Sequence, residues 1–241
     1  MKTQITKLCT LLLIATTLSS CMLDAINTIS GNRNVVTETR NIQEDFNSVK
    51  IGQGIELYIS QEPKTSLVVK ADENLQRIIR TEVRNGVLVI SSKRNIKRAK
   101  AKRVYLAVEN ITGIEASSGS SVISEGILRS TVFNMSTSSG ARAKIEVDAE
   151  SVKTNSSSGA SLRIQGKANY HNAKASSGAS IKSYGLESEN VTAKASSGAN
   201  IDVYATDSLE AKASSGGDID FKGNPRHVEK RKSSGGSISS Y

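Results

Sequence analysis

The stretch AKASSGAS at residues 173–180 returns as AKASSGAN at 193–200 and as AKASSGGD at 211–218. Aligned on the Ser-Ser-Gly triplet, seven glycines fall into one frame: Gly119, Gly140, Gly159, Gly178, Gly198, Gly216 and Gly235, with successive spacings of 21, 19, 19, 20, 18 and 19 residues. A period this regular is the signature of a solenoid, in which each repeat rests on a copy of itself. Low-complexity Ser/Gly disorder is the alternative, and it fails because the residues between the triplets are patterned.

Counting from each glycine exposes the pattern. Three residues after it stand Val122, Ala143, Leu162, Ile181, Ile201, Ile219 and Ile238; three and five before it lie mostly alanines, among them Ala175, Ala195, Ala213, Ala173, Ala193 and Ala211. Seven before it come Phe133, Val152, Val191, Leu209 and Val228. These positions share one parity, while Thr192, Lys194, Asn200 and Asp202 between them are polar. Alternation of period two marks a strand with one buried face. Each repeat therefore reads as strand, glycine corner, strand and loop. The corner glycine supplies positive φ, and the serine before it is placed in the inward column, where its hydroxyl would bond backbone groups freed at the bend.

The resulting expectation is an all-β chain: a single-stranded, right-handed parallel β-helix of ~19-residue, two-sheet coils with irregular N-terminal β coils. The hand follows the preference of parallel β crossovers. Coils stacked about 4.8 Å apart would make a rod roughly 30 to 35 Å long. In the last coil Lys230 and Lys232 replace alanines, as expected of a polar cap over an open edge.

Upstream of residue 111 the triplets are missing, yet FNSVKI, GIELYIS, SLVVKA, GVLVIS and VYLAVE read as short strands separated by turn signals such as Asn85-Gly86. NLQRIIR at 74–80 is the one candidate helical turn. FNSVKIGQGIELYIS (46–60), VVKADENLQRII (68–79), NGVLVIS (85–91) and the Ser-Ser-Gly corners resemble the bacterial family described as putative auto-transporter adhesins with a head GIN domain. Gly54-Ile55-Glu56 stands where that name has Gly-Ile-Asn, so the third position departs. The resemblance spans residues 42–241 and implies a pectin-lyase-like right-handed β-helix, no established catalytic residues and a suspected role in adhesion.

At the N-terminus, Lys2 and Lys7 precede an apolar run from Leu8 to Leu18, and LSSC at 18–21 resembles a bacterial lipobox. That implies a lipoprotein signal peptide over 1–20 and lipid on the Cys21 thiol; an ordinary signal peptide with an incidental cysteine is the alternative. Cys9 would be discarded with the signal, leaving no thiol for a disulfide, metal or nucleophile. Residues 21–41 then form a tether and first strand, 42–110 the irregular N-terminal β region, and 111–241 the repeat helix. Cleavage would remove two of the cations behind the formal charge of +9. The chain stays basic, which favours anionic glycans and envelope surfaces.

Two cationic features stand out. The run SKRNIKRAKAKR places Lys93, Arg94, Lys97, Arg98, Lys100, Lys102 and Arg103 together. It reads as a mobile loop holding an anionic glycan or lipid headgroups, or as a solvated hairpin loop. Four residues before successive glycines lie Lys174, Lys194, Lys212 and Arg231, and four after lie Lys144, Arg163 and Lys182, then Asp202 and Asp220. A polyanion laid along the rod would exploit such ladders, with ordinary surface charging as the alternative. Nucleic acid is disfavoured because no aromatics interleave the basic run. Asp218, Asp220 and Asp202 form an acidic patch, but the glycine-aspartate nonapeptide of calcium-binding β-rolls is missing, so no metal or other cofactor is expected. Tyr184 and Tyr204 would stack on consecutive coils as a sugar platform or as surface packing.

Neither His171, in an inward column, nor His227, beside Pro225, belongs to a nucleophilic constellation. The repeated serines are too uniform to be nucleophiles, and no coil stands out from the rest. The sequence therefore reads as a non-catalytic cell-envelope lipoprotein, an adhesin or glycan-binding β-helix. Its expected setting is the outer membrane of a Gram-negative bacterium, lipid-anchored through Cys21. Expected partners are that membrane and an anionic glycan or a host or envelope surface. No motif specifies an oligomeric state. A polysaccharide-acting enzyme of pectin-lyase-like architecture and a structural envelope scaffold are the alternatives.

Overall fold

The structure, a computed structural model, describes residues 27–241; the expected signal peptide and Cys21 lie outside the described residues. The N-terminal region contains β1 (Thr28–Ser30), β2 (Val35–Arg40), β3 (Ser48–Ile51), β4 (Glu56–Gln61) and β5 (Ser66–Asp72), then β6 (Ile79–Arg84), β7 (Val87–Ser92), β8 (Asn95–Arg98), β9 (Lys102–Val108) and β10 (Gly113–Ala116). The repeats contribute β11 (Ser121–Thr137), β12 (Arg142–Ser156), β13 (Ser161–Ala175), β14 (Ser180–Ala195) and β15 (Asn200–Ala213), and the last coil β16 (Asp218–Lys222), β17 (His227–Lys232) and β18 (Ser237–Ser240).

From β10 onward every strand pairs in parallel with its counterpart one repeat away. The register matches the sequence frame: Leu162 lies opposite Ile181, Ile181 opposite Ile201, and Ala173 opposite Ala193. The aliphatic column three residues past the glycine is buried throughout, from Val122 to Ile238, and so are the alanine columns. One expectation changes. No loop separates the strand leaving one corner from the strand approaching the next, because β11 to β15 each run unbroken through the far bend. Parallel hydrogen bonds to both neighbours carry the backbone around that bend, and besides the Ser-Ser-Gly corner the ladder is disturbed only by local register slips in β11, β13 and β14.

The corner also differs from expectation. Ser177 has φ 54° and Gly178 φ 68°, and Ala179 donates its N–H to the Ser176 carbonyl at 3.2 Å. Two consecutive residues at positive φ make a type I′ turn, whose twist suits right-twisted strands. The serine before each glycine is thus not inward: Ser177 and Ser197 sit exposed on the outside of the bend. The turns stack, since the Gly178 N–H donates to the Ser197 carbonyl at 3.0 Å and its equivalents repeat up the rod. Gln53 (φ 57°) and Gly54 (φ 70°) form the same turn, with the Gly54 N–H donating to the Ser118 carbonyl, so the stack begins 65 residues before Gly119. The Gly-Ile pair of the family resemblance is the first corner.

The N-terminal region builds the lower coils and seals them. β3 and β4 flank the first corner; β7 and β9 lie beneath them, and β10 with the start of β11 lies above. Antiparallel strands then close the open edge: β6 on β7 through an Asn85-Gly86 hairpin turn, and β5 on β9 with β2 beyond it. The 74–80 stretch shortens to a 3₁₀ turn over Glu73–Leu75, and Ile79 and Arg80 already belong to β6. Burial of Ile79 against the core outweighs local helical preference.

At the other end β17 is exposed along its whole length, and Lys230 and Lys232 stand opposite Ala211 and Ala213. With both lysines changed to alanine, the terminal rung keeps only the mutually paired Glu229 and Arg231 as charges along its edge. The double variant is expected to self-associate at concentrations where the parent stays dispersed, as read by light scattering, with little change in thermal stability.

Candidate functional site

We call the sheet on which the chain approaches each corner the upstream sheet, and the one on which it leaves the downstream sheet. On the outer face of the upstream sheet, pairing puts Asn155, Lys174, Lys194, Lys212 and Arg231 in a single file. The lysines are not equivalent. Lys212 pairs with Glu210 and Arg231 with Glu229, each two residues away on the same strand. The corresponding neighbours of Lys174 and Lys194 are Asn172 and Thr192, and neither lysine makes an ion pair among the described residues. The Glu210 carboxyl is held below its usual range by its hydrogen bond to Lys212, by that ammonium's charge, and more weakly by Lys194. Lys174 and Lys194 border a groove of 560 Å³ whose other walls include Ser136, Asn155, Ser157 and Ser176. A second groove, of 710 Å³, lies farther from the corner on the same sheet, lined by Tyr170, Asn172, Asn190, Thr192 and Ser208 among others. Tyr170 is 59% exposed there.

The basic run is no mobile loop. Its centre is β8, paired in parallel with β1, and it is tied down by the buried Asp72. That carboxylate accepts the backbone N–H of Ala101 at 2.9 Å, of Lys100 at 3.1 Å and of Arg33 at 3.0 Å. Burial alone would raise its pKa, but these donors, with the Lys100 charge, outweigh burial and hold it below the usual value. Arg94 reaches the Thr28 carbonyl, and Arg103 is paired with Glu56 at 3.1 Å. Lys93, Lys97, Arg98 and Lys100 remain exposed, and Lys102 is half-buried. The run closes the N-terminal end, roughly five rungs or about 24 Å from Lys174, so the two cationic features are separate surfaces.

On the downstream sheet the residues four past each corner glycine also stand in file, Tyr58, Ile123, Lys144, Arg163, Lys182, Asp202 and Asp220, with Tyr105 beneath Tyr58. Tyr58 and Tyr105 stack with ring centroids 5.0 Å apart, a contact the triplet frame did not reach because these coils lack triplets. Tyr184 and Tyr204, expected to stack, do not. The register slips between Arg163 and Gln165 and again between Ser183 and Glu187, so Tyr184 lies in a β-bulge with no partner across the rung. Both rings instead flank the Lys222 ammonium, 4.5 Å from the Tyr204 centroid and 5.9 Å from that of Tyr184. The coil of β14 is therefore irregular, as is that of β11, where the register slips between Ile123 and Ile127. The spacings carry both signals, in the 20-residue interval followed by one of 18 and in the 21-residue interval before Gly140.

The bulge opens a pocket of 320 Å³ lined by Arg163, Gln165, Lys182, Tyr184, Gly185 and Asp202 among others. The Tyr184 phenol is pushed up to about 12 by burial and by the Asp202 and Asp220 carboxylates, so it stays a neutral donor. Asp202 and Asp220 are themselves raised, first by burial and then by neighbouring aspartates. No cluster of three or more His, Cys, Asp or Glu side chains arranged to hold a metal occurs among the described residues.

His171 takes its expected inward place, between Val152 and Val191. It is 1% exposed, and burial pushes its pKa down to about 4. One ring nitrogen, Nε2, lies 3.0 Å from the Thr154 hydroxyl, while Nδ1 has no partner.

These features define a class: a parallel β-solenoid sealed at its N-terminal end, with charged and polar side chains filed along the outer faces of its two sheets. Residues 45–225 match the family described as "Putative auto-transporter adhesin, head GIN domain", and the chain belongs to it. Solved structures agree on the fold. A putative adhesin from Bacteroides fragilis, 19% identical, superposes with a TM-score of 0.81 over 88% of this chain and 100% of its own. A putative adhesin from Parabacteroides merdae, 18% identical, gives 0.72 over 89% and 99%. A protein from Parabacteroides distasonis described as a putative lipid binding protein, 21% identical, gives 0.70 over 89% and 99%. No curated protein matches the chain.

Proposed function

We propose that the protein is a non-catalytic adhesin of the bacterial cell envelope, lipid-anchored through Cys21, that binds an acidic glycan on the outer face of its upstream sheet. One observation carries the reading. Of the four cations filed from Lys174 to Arg231, Lys174 and Lys194 lie beside uncharged residues on their own strands while Lys212 and Arg231 are paired, and the two lysines border a groove rich in hydroxyl and amide groups. Unpaired like charges one rung apart repel and bring the fold nothing, whereas an anionic ligand would be held by both. Tyr170 lies four residues before Lys174 on the same strand, an exposed ring of the kind that packs against a sugar face. Membership of an adhesin family supports the same reading, as does the uniformity of the serines, which serve the turns.

The test is binding of the mature protein to immobilised polygalacturonate, heparin and chondroitin sulfate, with neutral dextran as control. Binding should weaken as salt rises. Lys174→Glu with Lys194→Glu should lose at least ten-fold in affinity, while Lys212→Glu, whose charge is already balanced by Glu210, should change it little. Binding unaffected by the double reversal would overturn the reading, and depolymerisation of any of these glycans would make the protein an enzyme.

A further inference from the structure

We infer that the bulge pocket on the downstream sheet is a second binding site, shaped for a hexuronic acid residue of a glycan. Arg163 and Lys182 would hold the carboxylate, and Gln165, Tyr184 and Asp202 the ring hydroxyls. The site is independent of the upstream groove, since it lies on the other sheet and shares no residue with it.

Three features point to this ligand. First, the register slips here in two consecutive pairings, β13 with β14 and β14 with β15, whereas in the other repeat pairings among the described residues it slips only between Ile123 and Ile127 of β11. A bulge interrupts pairing and re-aims side chains, and such devices concentrate at binding sites. Gly185 keeps the breach tight, because a Cβ there would come within 2.8 Å of the Gln165 Cβ.

Second, Lys144, Arg163 and Lys182 occupy three successive rungs of one file, and none makes an ion pair among the described residues. The guanidinium fork matches a carboxylate bidentately, and the ammonium beside it adds a second charge. In the pocket wall these two cations face Asp202, and the Asp220 and Asp218 carboxylates act on it from the next rung, so the site favours a singly charged ligand over a dianion.

Third, the remaining groups suit hydroxyls rather than a second anion. Tyr184 stays protonated and donates, Gln165 donates and accepts, and Asp202 accepts. A bare sulfate has no donor with which to satisfy Asp202 and is repelled by it. A uronic acid presents its carboxylate on one side and vicinal hydroxyls on the other. At 320 Å³ the pocket lies at the small end of ligand sites, fitting one sugar residue and not a long stretch of chain.

The experiment is calorimetric titration of the mature protein carrying Lys174→Glu and Lys194→Glu, so that the upstream groove is silenced. The probes are a galacturonic acid trimer, a galactose trimer and inorganic sulfate. The uronate trimer should bind and the galactose trimer should not, with sulfate at least ten-fold weaker. Adding Arg163→Gln and Lys182→Gln should lower uronate affinity ten-fold or more; Arg163→Lys, which keeps the charge without the fork, should lose part of it. Tyr184→Phe should cost a few-fold, and Asp202→Asn should narrow the preference for uronate over sulfate. Thermal unfolding of each variant checks that it is folded. The inference falls if the trimer does not bind the silenced protein, if Arg163→Lys and the double glutamine variant bind as the parent does, or if sulfate competes equally. Those outcomes leave the upstream reading standing when Lys174→Glu with Lys194→Glu abolishes adhesion to the immobilised glycans, so the two can fail separately.

Discussion

A Gly166→Ala variant is expected to lose about 3 kcal/mol or more of stability, enough to unfold a marginal domain at working temperatures. Gly166 has φ 121°, and a Cβ built on it would lie 1.9 Å from the Val147 carbonyl oxygen of the coil below. The obstacle is backbone, hydrogen-bonded within the stack, so it cannot move without breaking the ladder on either side. The corner glycines provide the contrast. Gly178 also has positive φ, but nothing lies within 4 Å of its would-be Cβ. Gly178→Ala should therefore cost only the left-handed backbone penalty, about 1 to 2 kcal/mol. Chemical denaturation of the two variants side by side tests the ranking; equal losses would show that contact with the coil below is not what fixes Gly166.

The second large effect is in acid. His171 has a folded pKa near 4 against an ordinary value of 6.5, because burial disfavours its charged form. Between those values the unfolded chain takes up a proton that the folded chain refuses. Stability is therefore fully present above pH 6.5, falls as pH drops through the window, and has lost about 3 kcal/mol from this group by pH 4. Carboxylates add their own terms: Asp72, Glu82 and Glu210, held below their usual values, lose their contribution as they protonate, and Asp202 and Asp220, raised above theirs, act in the opposite sense. The clean reading is the difference between the parent and His171→Leu, which puts a similar volume into the column without a titrating ring. That difference should be within about 1.5 kcal/mol at pH 7.5 and move steadily in the variant's favour between pH 6.5 and 4. A difference that stays flat with pH would mean the imidazole is protonated or solvated in the folded state.

Most of the architecture was legible because the coils are nearly identical. Once Gly119 to Gly235 were aligned, inward and outward positions followed from parity, and the cap lysines and buried His171 fell where the frame put them. Parity failed at the corner, where two left-handed residues turn the serine outward, since alternation holds only while the backbone stays extended. It also failed at Tyr184, where one inserted residue breaks the register; unequal glycine spacings carried that information, but not the side on which the extra residue would emerge. The cationic files were readable, whereas the difference between Lys194 and Lys212 emerged only from comparing their same-strand neighbours, Thr192 and Glu210. The basic run 92–103 misled for a different reason. Its order comes from Asp72, a buried carboxylate about thirty residues away in sequence, which no local pattern announces.

The placement of β3 and β4 between strands that come later in the chain bears on how the molecule is assembled. As synthesis proceeds from the N-terminus, residues 48–61 receive neighbours on one side only when 87–108 have emerged and on the other only after 113–124. Each later coil, by contrast, finds its template already laid directly beneath it. The slow, entropically costly closure is thus confined to the first half of the chain, and the remaining coils add by winding, one turn at a time.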